Sequence, residues 1–446
     1  MSSEDILSRF LSENPDIKSI ELLLVDPNGR IRGKWAPVTT LKKAFGEGVN
    51  FPLSLHACDV WGREVASTGL HIESGDRDGH CRAVAHTLAR VPWGKRPTAQ
   101  ILLESFHEDG KPFSVCARNV LKTVVQRLAD KNLYPVTALE LEFFLLKAED
   151  DWSSPLPELV DNDEGIERQR MYSLNALAEH GAFFEDVRRA AEFQSLPIDT
   201  IVKEAAPGQF EVNLNHCDDP LRAADDAVML RRIITECARM NDLKATFMAK
   251  PFISQPGNGM HVHASLLDGS GKNVFSGKDG RMVLENAVGG LLETMAECSL
   301  LFVGSYNGFR RMQPGSYAPT RVNWGENNRS VAVRIPASGE KARRIEHRIS
   351  GADANPYLVM AALLQAMLEG IENKIVPIAP ECGNAYDSKG GELPSSMQDS
   401  LALFQDSPFV VRALGKDMVK ILLALKQTEL ETFAGEITPL EHSTYL

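Results

Sequence analysis

The sequence lacks any uninterrupted apolar run of the roughly 18 to 20 residues that a membrane-spanning helix requires. It also lacks an excess of positive charge, because 48 Lys and Arg residues face 60 Asp and Glu residues, giving a formal net charge of −12. A general nucleic-acid-binding protein needs a basic face that replaces the counterions of the phosphates. We therefore expect neither a membrane nor a nucleic acid among the partners of this protein.

Paired cysteines are also missing. The 7 cysteines are dispersed singly, without a Cys-x-x-Cys pair, which argues against a disulfide framework and against a zinc site. The first residues, MSSEDILSRF, start acidic and lack the charged and then apolar layout of a secretory signal. Both observations predict reduced thiols and a cytoplasmic protein.

The chain is long enough for two or three folded domains, with 446 residues of which 43% are hydrophobic. The apolar run Ile20–Val25 precedes an Asp-Pro-Asn-Gly turn and predicts a β-hairpin. Ala99–Phe106 predicts a second hairpin, and residues 46–80 are interpreted as long loops. The apolar residues then change to helical spacing. We therefore predict a β-rich domain over residues 1–112 and a mixed α/β domain over residues 113–446.

Helical patterns and charged β-like segments alternate in the second domain. The spacing predicts long amphipathic helices over residues 221–240, 283–302 and 357–373. Short strands with charged side chains are expected around residues 140, 211, 262, 333 and 347. The acidic, proline-containing segment 149–165 is predicted to be a surface loop. Most polar groups of this domain should therefore lie on its strands.

Closely spaced glutamates recur on these strands. Residues i and i+2 project from one face of a strand, so Glu140 and Glu142 point the same way. A Pro-Gly turn separates Glu204 from Glu211 and can bring both carboxylates near one point. A single Glu-x-Glu segment is more often a solvated strand face. The recurrence of such segments favours a carboxylate site instead.

Two histidines, His261 and His263, lie on one face of a short strand behind a glycine-rich approach. Such a pair is by itself more often structural than ligating. Glu346 and Arg348 again align an acid and a base on one strand face. Together these segments supply five glutamates, with a histidine of the His261–His263 pair as a further ligand. A ligand set made mostly of oxygens suits Mg²⁺ or Mn²⁺ better than Zn²⁺.

Basic residues concentrate between residues 310 and 348 of this acidic protein. They are Arg310, Arg311, Arg321, Arg329, Arg334, Lys341, Arg343, Arg344 and Arg348. A solvated basic face would explain them, but guanidinium groups also bind phosphate and carboxylate through two parallel hydrogen bonds. Because the sequence has no G-x-x-x-x-G-K-[ST] loop, a nucleotide would not be held in the P-loop manner. Divalent cations beside such arginines would suit phosphoryl transfer.

Five motifs resemble those of the glutamine synthetase family in order and spacing, and the resemblance covers nearly the whole chain. They are Glu140-Leu141-Glu142, the E-x-x-P-G-Q-x-E loop Glu204–Glu211, the G-x-G-M-H-x-H segment Gly257–His263, the N-R-S…R-I-P segment Asn328–Pro336 and the K-A-R-R-I-E-x-R segment Lys341–Arg348. The resemblance implies an α/β (α+β) fold with an N-terminal β-grasp domain and a catalytic domain whose helices flank a curved antiparallel sheet. It also implies hexameric rings, single or stacked, with active sites between neighbouring subunits.

The resemblance further implies two or three Mg²⁺ or Mn²⁺ ions and the residues that bind them. One ion would be held by Glu142, Glu204 and Glu211, and a second by Glu140, His261 and Glu346. ATP would contact Asp199, His263, Ser265, Arg329, Arg334, Lys341 and Arg344. L-Glutamate would contact Gly257, Arg311 and Arg348, and the catalytic arginines would be Arg311, Arg329 and Arg348.

The departures from the family concern the amine substrate. The family's counterpart of Tyr317 is a glutamate that helps to bind ammonium, and its counterpart of segment 53–58 supplies an aspartate that helps to deprotonate it. A pocket without these anions binds a bare ammonium ion poorly, because desolvation of the cation is uncompensated. A larger, partly apolar amine should enter more readily. The pattern resembles the γ-glutamylpolyamine synthetase branch of the family.

The walls of an amine site are expected to be partly aromatic. The candidates are Tyr172, Trp61, His56 and Tyr317. The second ammonium group of a polyamine such as putrescine would need an acidic contact, for which Asp59 and Glu64 are candidates. An alkyl or aromatic monoamine would contact the aromatic walls instead. His56 is also a candidate general base.

The sequence thus predicts an ATP-dependent ligase that joins the γ-carboxylate of L-glutamate to an organic amine through γ-glutamyl phosphate. Two alternatives stay open: a glutamine synthetase that uses ammonium, and a ring protein without catalysis that serves as a scaffold. The complete set of metal and phosphate residues argues against the scaffold. Segment Asn384–Asp387 falls where some bacterial family members carry a modified tyrosine, but we interpret Tyr386 as an ordinary surface residue in a turn.

Overall fold

The computed structural model describes residues 2–148 and 171–446. The predicted acidic loop at residues 149–165 lies outside the described residues. The described chain forms two sheets accompanied by helices, which is a mixed α/β architecture of the predicted class.

Six strands form the first sheet. They are β1 (Ser19–Val25), β2 (Ile31–Pro37), β3 (Val49–Pro52), β4 (Asp78–Ala83), β5 (Ala89–Arg90) and β6 (Thr98–Phe106). Their order is β2-β1-β6-β4-β3, with β5 paired to β6, and only β1 and β6 are parallel neighbours. Helices α1 (Ser3–Glu13) and α2 (Thr40–Phe45) share a core with this sheet, in which Ile20, Leu22 and Ile101 are fully buried. This mixed sheet with its covering helices is the arrangement expected of a β-grasp domain.

The predictions for this region are partly confirmed. The β1–β2 hairpin is present, with Gly29 in its turn at φ +74°. The prediction of the second hairpin is wrong beyond its first strand. The chain after the turn forms only an isolated bridge, between Phe106 and Pro112. Proline has no backbone N–H and so cannot continue a ladder of hydrogen bonds. Residues 46–80 are not only loops, since β3 and the start of β4 lie there. Pairing within the sheet, not local propensity, makes these short segments strands.

Eight strands form the second sheet. They are β7 (Leu133–Lys147), β8 (Ile198–Lys203), β9 (Gln209–Leu214), β10 (Leu243–Thr246), β11 (Met260–Asp268), β12 (Trp324–Glu326), β13 (Val333–Ile335) and β14 (Ile345–His347). Their order is β12-β13-β14-β11-β7-β9-β8, with β10 paired to β7. All pairs are antiparallel except β12 with β13. The strands predicted around residues 140, 211, 262, 333 and 347 are therefore all confirmed.

Helices connect and follow these strands. They are α3 (Ala117–Asp130), α4 (Leu174–Glu179), α5 (Gly181–Phe193), α6 (Pro220–Met240), α7 (Gly280–Thr294), α8 (Ser299–Val303), α9 (Pro356–Asn373), α10 (Met397–Gln405), α11 (Pro408–Leu414), α12 (Lys416–Ala434) and α13 (Pro439–Tyr445). The helices predicted at 221–240 and 357–373 are confirmed as α6 and α9, and each begins with a capping side chain followed by proline. The single helix predicted at 283–302 is wrong, because a turn separates α7 from α8. Apolar residues continue through this turn, so periodicity could not reveal the break.

Buried polar contacts join the first sheet to the helices. On α3, Arg118 binds Asp225 of α6 at 3.0 Å and Glu104 of β6 at 2.9 Å. The Tyr357 hydroxyl donates to the same Asp225 at 2.6 Å. Because an unpaired buried charge is strongly destabilising, this network fixes how the two parts of the chain meet. Residue 112, where we propose the domain boundary, lies in the connection between β6 and α3.

Two further observations concern the expectations from composition. No helix within residues 2–148 and 171–446 is both long enough and apolar enough to cross a membrane. All seven cysteines carry free thiols, five of them buried.

Candidate active site

Strand register brings the predicted acidic and histidine side chains together on the second sheet. Glu140 on β7 lies opposite His261 on β11. Two residues further along β7, Glu142 lies opposite Glu211 on β9. Because residues two apart share a face, these pairs form adjacent rows on one side of the sheet.

Glu140 lies at the centre of this cluster. Its carboxylate oxygens lie 3.1 Å from His261 Nδ1 and 2.8 Å from His263 Nε2. Two groups bring their ligand atoms within 4.8 Å of one another: Glu140 with Glu211 and His261, and Glu140 with His263 and Glu346. These side chains form a compact set of oxygen and nitrogen donors.

The other two predicted metal ligands lie at the edge of the same cluster. Glu142 accepts a hydrogen bond from the backbone N–H of Gly259 at 2.5 Å. Glu204 follows β8 directly, and its carboxylate interacts electrostatically with Glu142. The structure thus brings all six predicted metal residues into one region, which we call the acidic cluster. It also places His263, which was expected beside ATP, within one of the two ligand groups.

Burial and mutual repulsion make this cluster costly to ionise. Burial and the neighbouring charge of Glu142 raise the pKa of Glu204 to about 7. Burial and the surrounding glutamates also raise the pKa of Glu211 well above its ordinary value. Burial acts in the same direction on Glu140, but hydrogen bonds with the two histidines outweigh it and lower its pKa. The carboxylates of the acidic cluster therefore carry more negative charge than the nearby side chains neutralise.

The donor set fits divalent cations. Crowded carboxylates are stabilised in their charged form by a nearby positive charge. Carboxylate oxygens with an occasional imidazole nitrogen are ligands that suit Mg²⁺ and Mn²⁺. The residues that could hold such ions are Glu140, Glu142, Glu204, Glu211, His261, His263 and Glu346.

Arg311 lies buried beside the acidic cluster. Its Nη1 donates to the carbonyl of Ile349 at 2.7 Å, and burial lowers the pKa of its guanidinium. A Cβ on Gly257 would lie 2.7 Å from Arg311 Cγ, and a Cβ on Gly259 would lie 2.8 Å from Arg311 Nη2. Both positions therefore require glycine for the guanidinium to lie against the backbone. Arg311 and Gly257, the predicted glutamate contacts, are adjacent as expected.

Two of the other predicted arginines, Arg334 and Arg348, pair with Glu346. Arg348 pairs with one oxygen of Glu346, and Arg334 Nη1 binds the other at 2.8 Å. Burial alone would raise the pKa of Glu346, but Arg348 and the nearby histidines lower it. Arg329 is exposed on the loop after β12, and its charge reaches Glu204.

A cavity of about 930 Å³ continues from the acidic cluster along β7, β9 and β11. Its lining includes five of the residues predicted to contact ATP: Asp199, His263, Ser265, Lys341 and Arg344. The lining also includes three residues that sequence reasoning missed: His216, Cys217 and Arg222. These three follow β9 outside any motif, and their position just after the Glu211 strand is the only signal in the sequence that could have indicated them.

The two tyrosines predicted for the amine site lie on loops beside the acidic cluster and Arg311. Tyr317 and Tyr172 are 65% and 61% exposed, and both adopt left-handed backbone conformations, at φ +58° and +64°. The backbone N–H of Tyr172 donates to the carbonyl of Lys203, the residue before Glu204. In the Tyr317 loop, the Ser316 hydroxyl donates to the carbonyl of Arg311 at 3.1 Å.

Two other expectations for the amine site are corrected. His56 is buried against Ser105, with 2.8 Å between Nε2 and Oγ, and burial lowers its pKa to about 4. Asp59 is also buried and accepts hydrogen bonds from Arg63 Nε and the backbone of Trp61. Both side chains therefore stabilise the N-terminal fold and do not face a substrate. Trp61 and Glu64 are exposed and stay available.

Two residues that position the cluster received no role from the sequence, although Gln209 lies within the E-x-x-P-G-Q-x-E motif. Lys203 is fully buried, and its ammonium donates to the carbonyls of Glu204 at 2.8 Å and Ala206 at 2.5 Å. Gln209 Nε2 donates to the carbonyl of Gly257 at 3.0 Å. Both lie within two residues of a predicted metal ligand in the chain, and this proximity was the signal that could have indicated them.

The family model for the catalytic domain of glutamine synthetase matches residues 114–445. This chain belongs to the glutamine synthetase family. Among its relatives in that family, the gamma-glutamylputrescine synthetase PuuA of Escherichia coli K12 is 38% identical over 98% of this chain and 93% of its own length. The glutamate–isopropylamine ligase of a Pseudomonas species is 31% identical over 98% and 97% of the two chains. The gamma-glutamylethanolamide synthetase GlnA4 of Streptomyces coelicolor is 30% identical over 96% and 92%.

A solved structure shares the fold. The ADP complex of GmaS superposes with a TM-score of 0.85 and 24% identity, covering 98% of this chain and 99% of the other. Members of the glutamine synthetase family use ATP and divalent metal ions. The acidic cluster and the adjoining cavity provide donors and space for both.

Proposed function

We propose that this protein is an ATP-dependent ligase that joins the γ-carboxylate of L-glutamate to an organic amine. One observation carries the proposal: the six residues that the family resemblance implies as metal ligands lie together in the acidic cluster. By contrast Tyr317, an exposed neutral phenol, lies where the resemblance implies a glutamate, on residues 314–319, which we call the acceptor loop. The three relatives described above support it, because their names specify putrescine, isopropylamine and ethanolamide chemistry and not ammonium.

In the first half-reaction, phosphate is transferred to glutamate. An oxygen of the γ-carboxylate forms a bond to the γ-phosphorus of ATP while the bond from that phosphorus to the bridging oxygen breaks, which yields γ-glutamyl phosphate and ADP. Arg311 would bind a carboxylate of glutamate beside Gly257. Lys341 and Arg344 in the cavity, and Arg329, whose charge reaches Glu204, would bind phosphate oxygens and stabilise the charge that develops on them.

Divalent ions would assist this step. We propose two or three Mg²⁺ or Mn²⁺ ions held by the acidic cluster, which would neutralise the charge of the phosphates that approach the carboxylate. Without that neutralisation, the glutamates of the cluster would repel both anionic substrates.

In the second half-reaction, the amine replaces the phosphate. The amine nitrogen forms a bond to the γ-carbonyl carbon, the bond from that carbon to the phosphate oxygen breaks, and the nitrogen gives up a proton to solvent or to a basic group. Tyr317 and Tyr172 would form apolar walls for the alkyl part of the amine. Neither contributes a negative charge, so a free ammonium ion gains little at these walls.

The assembly and the location follow the family resemblance. We propose a hexameric ring, single or stacked, and a cytoplasmic protein divided into domains of residues 1–112 and 113–446. Trp61 and Glu64 are exposed on a loop of the N-terminal domain. In a ring they are available to complete the amine site of a neighbouring subunit, where Glu64 would bind the distal ammonium of a diamine.

The test is glutamate-dependent release of phosphate from ATP and Mg²⁺, together with detection of the amide. Putrescine, spermidine, an alkyl monoamine, an aromatic amine and ammonium are compared by kcat/KM. We expect an organic amine to exceed ammonium by at least about 10-fold, since a bare cation lacks a charged partner in this site. A preference for ammonium would refute the proposal and identify a glutamine synthetase. Absence of turnover with every amine would favour the scaffold.

A further inference from the structure

A short segment after the second sheet, residues 381–388, connects two loops of the candidate active site. We call it the bridging segment. At one end it binds the loop that carries Arg329: Asn328 Nδ2 donates to the carbonyl of Gly383 at 2.9 Å, and the backbone N–H of Ala385 donates to the Ser330 hydroxyl at 3.1 Å. The bridging segment is therefore fixed to the phosphate side of the site.

The other end of the bridging segment reaches the acceptor loop, residues 314–319. The hydroxyl of Tyr386 donates to the carbonyl of Ala318 at 3.2 Å. Ala318 is 1% exposed, while its neighbour Tyr317 is 65% exposed. Burial raises the pKa of the Tyr386 phenol, so the hydroxyl keeps its proton and acts as a donor at neutral pH. Sequence reasoning treated this tyrosine as an ordinary surface residue, but its hydroxyl has a specific partner.

The acceptor loop needs such a restraint because its backbone is strained. Tyr317 has φ +58° and follows Gly315, which has φ +79°. A bulky residue in the left-handed region persists only when the surrounding contacts hold it there. Hydrogen bonds that hold this loop from outside its own turn include the bond from the Ser316 hydroxyl to the Arg311 carbonyl and the bond from Tyr386, and Ala318 also packs in the core.

We propose that Tyr386 is a positioning residue for the amine half-reaction, and this inference rests on the proposed function. Its hydroxyl holds Tyr317 at the edge of the site and ties the acceptor loop to the loop of Arg329. The Tyr386 hydroxyl bonds the acceptor loop, and the charges of Arg311 and Arg348 act on its phenol from nearby. Its link to the amine site therefore runs through the loop that carries Tyr317. When the acceptor loop is fixed in this way, Tyr317 stays in place as a wall of the amine site. The wall excludes water from the acyl phosphate.

The position of the bond predicts a selective defect. Replacing Tyr386 with phenylalanine keeps the ring and removes only the donor. A net hydrogen bond contributes enough to change an equilibrium by about 2- to 10-fold. We therefore expect KM for the amine to rise by that factor, and KM for ATP to stay within about 2-fold. Water should then compete better, so more phosphate is released for each amide formed.

The experiment compares the unchanged protein with Tyr386→Phe and with Tyr445→Phe. Tyr445 is 83% exposed on α13, and its variant controls for loss of a phenol elsewhere. Rates are measured over ranges of amine and of ATP, and the amount of phosphate is divided by the amount of amide. Thermal unfolding is followed in parallel, because a purely structural role would lower the unfolding midpoint and leave the amine KM and the phosphate-to-amide ratio unchanged.

A double-mutant cycle tests the route through Tyr317. In a Tyr317→Ala background, Tyr386→Phe should have no further effect on the amine KM, since the wall that it positions is gone. Additive effects would overturn the proposal, as would an unchanged amine KM in Tyr386→Phe or an equal rise in KM for ATP. If the unchanged protein forms no amide with any organic amine, the proposed function fails and this inference falls with it. If it does form amide, these results judge Tyr386 alone.

Discussion

Two sides of the site are built in different ways: the side that binds metal ions and phosphate, which we call the donor side, and the side that binds the amine, which we call the acceptor side. On the donor side, five of the six residues of the acidic cluster lie on β7, β9, β11 and β14, where hydrogen-bonded register determines which side chains face one another. The sixth, Glu204, directly follows β8. On the acceptor side, Tyr172 and Tyr317 lie on loops with left-handed backbone conformations. The first arrangement is fixed by many backbone hydrogen bonds, and the second by a few individual contacts.

This difference explains how one fold can serve several amines. A substitution on β7 or β11 would move a charge within a cluster in which Glu140 belongs to two groups of ligand atoms, each within 4.8 Å. The phosphoryl-transfer half therefore tolerates little change. A substitution at Tyr317 alters an exposed side chain on a loop and leaves the register of the sheet untouched. Amine preference can therefore change while activation of glutamate stays the same.

The largest effect is expected from Glu211→Ala on the donor side. Removal of an outer hydrogen-bonding partner of a metal ligand typically costs about 10- to 100-fold in activity or metal affinity, so loss of a direct ligand should cost more than about 100-fold in kcat/KM. Glu211 has a raised pKa, and a carboxyl with a raised pKa destabilises the fold at pH values above its unfolded pKa. We therefore expect the variant, at neutral pH without Mg²⁺, to unfold at the same or a higher temperature.

The measurement is the unfolding temperature with and without Mg²⁺ and ATP, together with turnover. Glu293→Ala on an exposed part of α7 is the matched control and should keep both activity and ligand-induced stabilisation. Retained turnover in Glu211→Ala would remove this residue from the cluster's function. No stabilisation of the unchanged protein by Mg²⁺ and ATP would instead support the scaffold alternative.

A smaller effect is expected from Lys203→Met. The Lys203 ammonium donates to the carbonyls of Glu204 and Ala206 below the turn of the β8–β9 hairpin. Methionine fills similar space but leaves these carbonyls without that donor, so the position of Glu204 should loosen. We expect the Mg²⁺ concentration for half-maximal activity to rise about 10-fold, the lower end of effects at outer positions of metal sites.

The control for this variant is Lys272→Met, which removes an exposed lysine. Mg²⁺ titrations of activity at saturating ATP and glutamate separate the metal effect from substrate binding. If the Mg²⁺ requirement were unchanged while the unfolding temperature fell, Lys203 would be only a structural lysine, and the donor side would depend on register alone.

The same contrast explains what the sequence could and could not predict. The period of two predicted that Glu140 and Glu142 share a face of β7 and that His261 and His263 share a face of β11. That Glu140 lies opposite His261 follows from the register of the two strands, which the structure supplies. The separation of α7 from α8 and the strands within residues 46–80 depend on tertiary contacts and could not be read locally. His56 illustrates the limit for side chains: its polarity suggested a substrate contact, but the fold buries it against Ser105.

The loops were the least predictable part of the site. The sequence identified Tyr317 from its position in a motif, but gave no sign that Tyr386 holds the loop, since the two lie far apart in the chain. Likewise, Asp59 was expected to face a substrate, whereas it pairs with Arg63 four residues away. Contacts made by single side chains between loops have no periodic signature, so they required the structure.

The most selective effect is expected from Tyr317→Glu, which would place a carboxylate on the acceptor loop. Both residues must adopt the same left-handed backbone, so the substitution mainly adds a charge. A hydrogen bond to a charged group is worth about 1.5 to 3 kcal/mol, so the ratio of kcat/KM for ammonium to that for the best organic amine should rise by at least about 10-fold. Tyr317→Gln is the matched control, because it removes the ring without adding charge.

An equal shift in both variants would mean that loss of the aromatic wall, not the absence of a negative charge, sets the amine preference. A shift in neither would show that the acceptor side is determined by other residues, for which exposed Trp61 and Glu64 would be the next candidates.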